Sequence, residues 1–290
     1  MSQLIKDLIG NYDYENFVIK IGSNLNVNRK DFKPNFDFID DICFAAGILK
    51  THYHKRVSLV VSGAIPLGSV FMNAVETPAK KKAAAGIGQP KLYHAFEEAF
   101  SRNDIQTGQI LITHDEIKRE QTRSELIDTT QTILDHGIIP IWNANDAIAV
   151  DELPHDGIKP DNDMLAARIC TDIVDADVLL ILSQNALYTG NPANDNSHTH
   201  IPCVDEITSF HRSIAGAEFS PLSTGGMAGK IKAIDFATSF GVHAAIINGL
   251  QPRSMMNILM ERDGVESTYF RPKHVKNKTN PIESSQSLSL

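Results

Sequence analysis

Apolar runs recur along the chain at two periods, and their alternation predicts strands joined by helices. Phe17-Val18-Ile19-Lys20-Ile21, Val57-Ser58-Leu59-Val60-Val61, Gln109-Ile110-Leu111-Ile112-Thr113, Gly137-Ile138-Ile139-Pro140-Ile141-Trp142, Asp177-Val178-Leu179-Leu180-Ile181-Leu182 and His243-Ala244-Ala245-Ile246-Ile247 read as strands. Each is short and is followed by turn-forming or polar residues. The run at 177–182 is almost wholly apolar, as in a central parallel strand covered on both faces. Apolar residues at helical spacing predict helices over 36–50, 78–100, 116–134, 162–169, 207–215 and 231–240, with a short helix and strand to follow. Strand–helix–strand order implies an α/β fold with a mainly parallel sheet and right-handed crossovers.

Polar residues then gather where strands end. Lys20 interrupts the first apolar run, and an ammonium there either snorkels to the surface or needs anionic company. Gly22-Ser23-Asn24 and Ser62-Gly63-Ala64 close the first two strands. Asn143-Ala144-Asn145-Asp146 emerges from the fourth, and Asp161-Asn162-Asp163 opens a helix whose N-cap is Asp161 or Asn162. In open parallel sheets such carboxyl ends are where ligands bind, although a turn and a cap alone would explain the same residue types. The loop between the two clusters, with Pro154, Gly157 and Pro160, is long and polar enough for a mobile flap. Gly86 and Gly88 interrupt an Ala-rich helix, which points to close packing or close substrate approach. Lys80-Lys81-Lys82 reads as a solvated helix start. Ser223-Thr224-Gly225-Gly226-Met227-Ala228-Gly229-Lys230 is a glycine loop feeding a helix, with a Lys one turn in. It lacks Walker A spacing, yet its backbone N–H groups and Lys suit the phosphates of a nucleotide.

Composition narrows the class. The chain has 290 residues, 42% hydrophobic and 21% charged, as in a soluble globular protein of one large domain or two small ones. A formal net charge of −8 argues against a nucleic-acid partner, which would call for a basic face. The cysteines Cys43, Cys170 and Cys203 have no paired spacing, so neither a zinc site nor a disulfide framework is indicated and a reducing cytoplasm is expected. No apolar run approaches the roughly 20 residues of a membrane span, and no signal-peptide pattern is present.

Taken in order, these stretches resemble the amino acid kinase superfamily and, within it, the glutamate 5-kinase branch. The resemblance is carried by Val18-Ile19-Lys20-Ile21-Gly22-Ser23, Val61-Ser62-Gly63-Ala64-Ile65, Ala83-Ala84-Ala85-Gly86-Ile87-Gly88-Gln89 and Ile139-Pro140-Ile141-Trp142-Asn143-Ala144-Asn145-Asp146. Asp161-Asn162-Asp163, Leu187-Tyr188-Thr189 with Asn191-Pro192, and Thr224-Gly225-Gly226-Met227 with Lys230 complete it. The resemblance implies a three-layer αβα sandwich over residues 14–270, with an amino-acid acceptor lobe in the N-terminal half and a nucleotide lobe in the C-terminal half. Residues 271–290 would be a frayed tail, and the RNA-modification-type domain appended to many bacterial members would be absent. The implied reaction is ATP- and Mg2+-dependent phosphorylation of the γ-carboxylate of L-glutamate, the step that begins proline synthesis. Homo-oligomers, as dimers or tetramers, are also implied.

By the same resemblance Lys20 and Lys230 flank the phosphoryl group in flight and Asp163 orients both. Gly22, Ser23, Ser62, Gly63, Ala64, Asp146 and Asn162 hold the acceptor. The nucleotide meets Lys20, Ser183, Gln184, Thr224, Gly225, Gly226, Met227, Ala228, Gly229 and Lys230, and no protein metal ligand is implied. The chain departs from the branch's pattern in several places. Ala144 replaces a Glu, Pro160 replaces a Gly, Ser183-Gln184 stands where Thr-Asp is usual, and the helix after Asp115 lacks the usual Arg- and Asn-rich pattern. These departures leave open a different acceptor, such as a modified glutamate, or a catalytically silent ligand-binding regulator.

Overall fold

The computed structural model describes residues 2–72, 75–148, 161–192, 197–216, 226–260, 262 and 264–274. Eight strands lie in one sheet: β1 (Asn16–Ile21), β2 (Arg56–Val60), β3 (Thr107–Ile112), β4 (Ile139–Ala144), β5 (Val178–Ser183), β6 (Cys203–Val204), β7 (His243–Asn248) and β8 (Ser267–Phe270). Their order is β3-β4-β2-β1-β5-β7-β8-β6. Every pairing is parallel except β7 with β8. The first four strands build outward from β1 to one side and the last four build to the other. The direction of chain progression therefore reverses between β1 and β5, which pair from Phe17–Val178 to Ile21–Leu182. A parallel sheet opens a crevice at the carboxyl ends of such neighbours.

Two helical layers cover the sheet, because side chains alternate across a strand. Phe17, Ile19 and Ile21 of β1 point into one core with α1 (Ser2–Gly10), α3 (Phe36–Thr51), α4 (Ala64–Ser69), α5 (Pro78–Ser101) and α11 (Ser254–Leu259). Val18 points into the other, built with α6 (His114–Lys118), α8 (Asn162–Arg168), α9 (Ser209–Ala215) and α10 (Gly226–Ser239). Lys20 shares the parity of Val18, and so projects toward α8 and α10. A short α2 (Ser23–Asn26) follows β1 directly, and α7 (Glu120–Asp135) flanks β4.

Several elements differ from the sequence pattern. The helix expected over 116–134 is two: a Thr113–Glu116 capping box starts α6, Arg119 is extended, and α7 begins at Glu120. α10 starts at Gly226, five residues before Ile231, so the glycine stretch 226–229 is itself the first helical turn. α8 runs on into a π-helical turn, Ile169–Ile173, that buries Cys170 and Ile173. α1, α2, α4 and β6 have no counterpart in the expected elements. Gly88 answers the packing reading: a Cβ there would overlap the Ala64 carbonyl of α4, so α4 and α5 touch backbone to backbone. Residues 271–274 are tied down, Arg271 N–H donating to Val204 and Lys273 N–H to Thr238. The 150–160 loop, with Pro160, lies outside the described residues.

Candidate active site

Lys20 does not snorkel. It is 4% exposed, and its ammonium contacts one carboxylate oxygen of Asp163. Lys230, one turn into α10, meets the other oxygen at 3.2 Å and also donates to the Gly226 carbonyl at 3.3 Å. One carboxylate thus bridges two ammonium groups that reach it from β1 and α10. Burial pushes the Lys20 pKa down and Asp163 pulls it back only in part, leaving it below the ordinary lysine range. Burial alone would raise Asp163, but the two lysines outweigh that and hold it below the ordinary carboxylate range. The group is therefore one anion between two cations with little access to water, with Asp161 as a second carboxylate beside it, and its two ammonium groups suit a highly charged anion arriving from the crevice.

Asp163 owes its position to the start of α8. Asp161 caps the helix, its side chain accepting from Met164 N–H at 2.8 Å. Its second oxygen lies against α10, 2.6 Å from where a Cβ on Gly229 would stand, which brings the two helix starts together. Burial and then the neighbouring Asp163 raise the Asp161 pKa to about 6. Near this turn burial, followed by the Arg168 charge, lowers the His114 pKa to about 4.

On the acceptor side, amides and hydroxyls form a relay. Asn162 Nδ2 donates to Ser62 Oγ at 2.8 Å, Asn143 Oδ1 at 3.0 Å and the Val61 carbonyl at 3.3 Å. Asn143 in turn donates to Gln89 Oε1 of α5 at 2.6 Å. Gly63 has φ of +127°, a conformation strained for any side chain, and a Cβ there would stand 2.8 Å from Val27 and 3.9 Å from Ser23 Cα. The turns after β1 and β2 are thereby packed together, with Ala64 starting α4. Asp146 occupies the turn after β4, where burial raises its pKa to about 6. On the other side Ser183 ends β5, and Gln184 accepts from Asn24 Nδ2 at 3.1 Å.

The structure thus gathers Lys20, Asp163 and Lys230 into one contact group and joins Ser62 to Asn162. It sets Gly22, Ser23, Gly63, Ala64, Asp146, Ser183 and Gln184 on the same edge of the sheet. Gly226, Met227, Ala228 and Gly229 form the turn that carries Lys230. Thr224 and Gly225 lie outside the described residues. Sequence reasoning assigned no role to Asn143, Gln89 or Asn24, although all three stand inside or beside stretches it singled out. Their side-chain partners sit 19 to 160 positions away, so no local pattern discloses them.

Comparison with known proteins places the chain in a family. The profile of the Amino acid kinase family matches residues 15–248. A curated protein named glutamate 5-kinase from Ligilactobacillus salivarius is 35% identical over 85% of this chain and 93% of its own length. Another of the same name from Clostridium acetobutylicum is 37% identical over 89% and 94%. Among solved structures, isopentenyl phosphate kinase superposes with a TM-score of 0.60 at 14% identity, covering 88% of this chain and 100% of that one, a likeness of fold alone.

Proposed function

The chain belongs to the amino acid kinase family, and from the site it carries we infer that it phosphorylates the γ-carboxylate of L-glutamate at the expense of ATP. The observation that bears most weight is the Lys20–Asp163–Lys230 contact group at the β1/β5 crevice. A γ-carboxylate oxygen attacks the terminal phosphorus, the bond from that phosphorus to the β–γ bridging oxygen breaks, and ADP leaves with the electron pair. Phosphoryl transfer depends chiefly on positioning and on neutralising charge over the equatorial oxygens. Lys20 and Lys230 supply that charge from the two sides, and Asp163 keeps them apart and aimed. The acceptor carboxylate, with a reference pKa of about 4.3, is ionised at neutral pH and needs no general base.

In this reading Asn162, Ser62 and the Gly22–Ser23 and Gly63–Ala64 turns hold the glutamate, and Asp146 pairs with its ammonium group. The nucleotide lies against Ser183, Gln184 and the start of α10. Among the described residues no three His, Cys, Asp or Glu cluster as a metal cage, and both oxygens of Asp163 are taken by lysines. That donor set fits Mg2+ carried in on the nucleotide phosphates, where it would neutralise further phosphate charge, and Asp161 at the start of α8 would be a carboxylate to hold its water shell. Cys43, Cys170 and Cys203 are not joined in disulfides, which suits a reducing cytoplasm, and the product is the acyl phosphate that opens proline synthesis.

Incubation with Mg-ATP, glutamate and hydroxylamine is expected to yield γ-glutamyl hydroxamate together with glutamate-dependent ADP. Absence of both, with a well-folded protein, overturns the assignment. Ala144 at the end of β4 favours testing bulkier glutamate derivatives alongside, since the branch's pattern places a Glu there; ranking by kcat/KM decides the acceptor.

A further inference from the structure

The floor of the crevice is tied across by one side-chain hydrogen bond that the chemistry above leaves unused. β1 and β5 stay in register to Ile21–Leu182, and Gly22 N–H still donates to the Leu182 carbonyl at 3.2 Å. Beyond that point the chains diverge. One enters α2 and packs on the Gly63 turn of the acceptor side; the other continues into Ser183 and Gln184 on the nucleotide side. There Asn24 Nδ2 donates to Gln184 Oε1 at 3.1 Å, half-buried and 160 residues apart in sequence. Leu25, which follows Asn24, and Leu182, two residues before Gln184, are both buried in the same core beneath this bond.

We propose that Asn24 and Gln184 form a positioning latch across the switch between β1 and β5, fixing the acceptor-side turn relative to the nucleotide-side strand end. The proposal rests on the kinase reading for its consequence. In-line transfer requires acceptor and phosphate to be held at one separation, and the latch joins the two elements that set it. It also fixes the amide. With Oε1 accepting from Asn24, Gln184 keeps both N–H donors for a nucleotide, where the branch's usual Asp would offer acceptors alone. The neutral pair thus keeps a second carboxylate away from the phosphate path while holding the turns together.

Two kinds of measurement test this. In kinetics, Gln184→Ala is expected to raise the KM for glutamate about three- to tenfold, the worth of a half-buried neutral hydrogen bond, although Gln184 lies on the nucleotide side. Asn24→Ala should do the same to the KM for ATP. In the KM for glutamate the double variant should be no worse than Gln184→Ala alone, since both changes remove the same bond. Gln184→Glu, which keeps an acceptor for Asn24, should return the glutamate KM toward the parent value. Additive effects, or changes confined to the substrate on each residue's own side, overturn the latch. In ligand-free protein, the Asn24 side-chain amide resonance, identified by its loss in Asn24→Ala, should shift in Gln184→Ala and hold in Gln184→Glu. An unshifted resonance in Gln184→Ala also overturns it. If no glutamate turnover exists at all, the kinase reading fails while the resonance still reports on the latch.

Discussion

Asp163 is the residue on which most of the chemistry converges, and its burial makes the consequences of changing it sharp. Both neighbours are ammonium groups with little access to water. Asp163→Asn keeps the shape but leaves two facing cations with no anion between them. Breaking a buried ionic group in this way costs about 3–5 kcal/mol, and loss of the aimed charge should lower kcat by at least about a hundredfold. Urea unfolding and the hydroxamate assay read these separately, and retention of parent stability and turnover would sink the role given to the Lys20–Asp163–Lys230 contact group. Asp146 gives a pH prediction of definite sign. Its pKa is raised from 3.8 to about 6 by burial, so the folded chain holds this proton more tightly than the unfolded one. Its contribution to stability is fully present below about pH 4 and is lost as pH rises through about 6. Glutamate binding runs the other way, because the ammonium needs the ionised carboxylate. The KM for glutamate should climb as pH falls through about 6, approaching tenfold per pH unit, and Asp146→Asn should flatten that limb in a pH–rate profile.

At the scale of elements, what the sequence discloses follows from how local its physical cause is. Strands β1, β2, β5 and β7 are legible because burial on both faces demands uninterrupted apolar side chains. The Asp161 cap and the Pro78 helix start are legible because the partner groups lie within one turn. The Arg119 break between α6 and α7 is not, since the polar run 118–125 holds neither Gly nor Pro to mark it. The amide relay from Gln89 to Asn143, Asn162 and Ser62 is likewise invisible until α5, β4, α8 and β2 are in place. Lys20 shows the limit most plainly: its position in an apolar run allows snorkelling or pairing, and only the arrival of α8 decides. The α4–α5 contact is a case where a local signal, Gly88 inside a helix, has a nonlocal cause that can be tested. Gly88→Ala would gain helix propensity, about 1 kcal/mol in isolation. Here the added methyl collides with the Ala64 carbonyl, and backbone cannot swing aside as a side chain does. The net expectation is destabilisation by about 1–3 kcal/mol with a raised glutamate KM, because α4 begins at the Gly63–Ala64 turn. A more stable Gly88→Ala protein in chemical denaturation would refute the backbone contact.

The molecule as a whole divides its proposed labour between two halves of one sheet, which raises the question of whether those halves unfold apart. Chains of this length commonly do so when each half owns a core. Here the two cores lie on opposite faces of the sheet instead, and each draws on strands from both halves: Ile19 and Leu180 share one, Val18 and Leu179 the other. β1 and β5 are central, paired over five residues, and no strand can leave without exposing both layers. Cooperative unfolding is therefore expected, and the chain carries a convenient reporter. Trp142, the sole tryptophan, is fully buried in β4 on the acceptor side. Its fluorescence transition in urea should coincide with the far-UV circular dichroism transition, which averages over both halves. Adding Mg-ATP, whose proposed contacts are on β5 and α10, should move both midpoints upward together, by about 2.7 kcal/mol of stability at a hundred times its dissociation constant. A nucleotide-induced shift in circular dichroism that leaves the Trp142 transition where it was would mean the halves melt independently, and the single sheet would then be no guide to how acceptor and nucleotide are coupled.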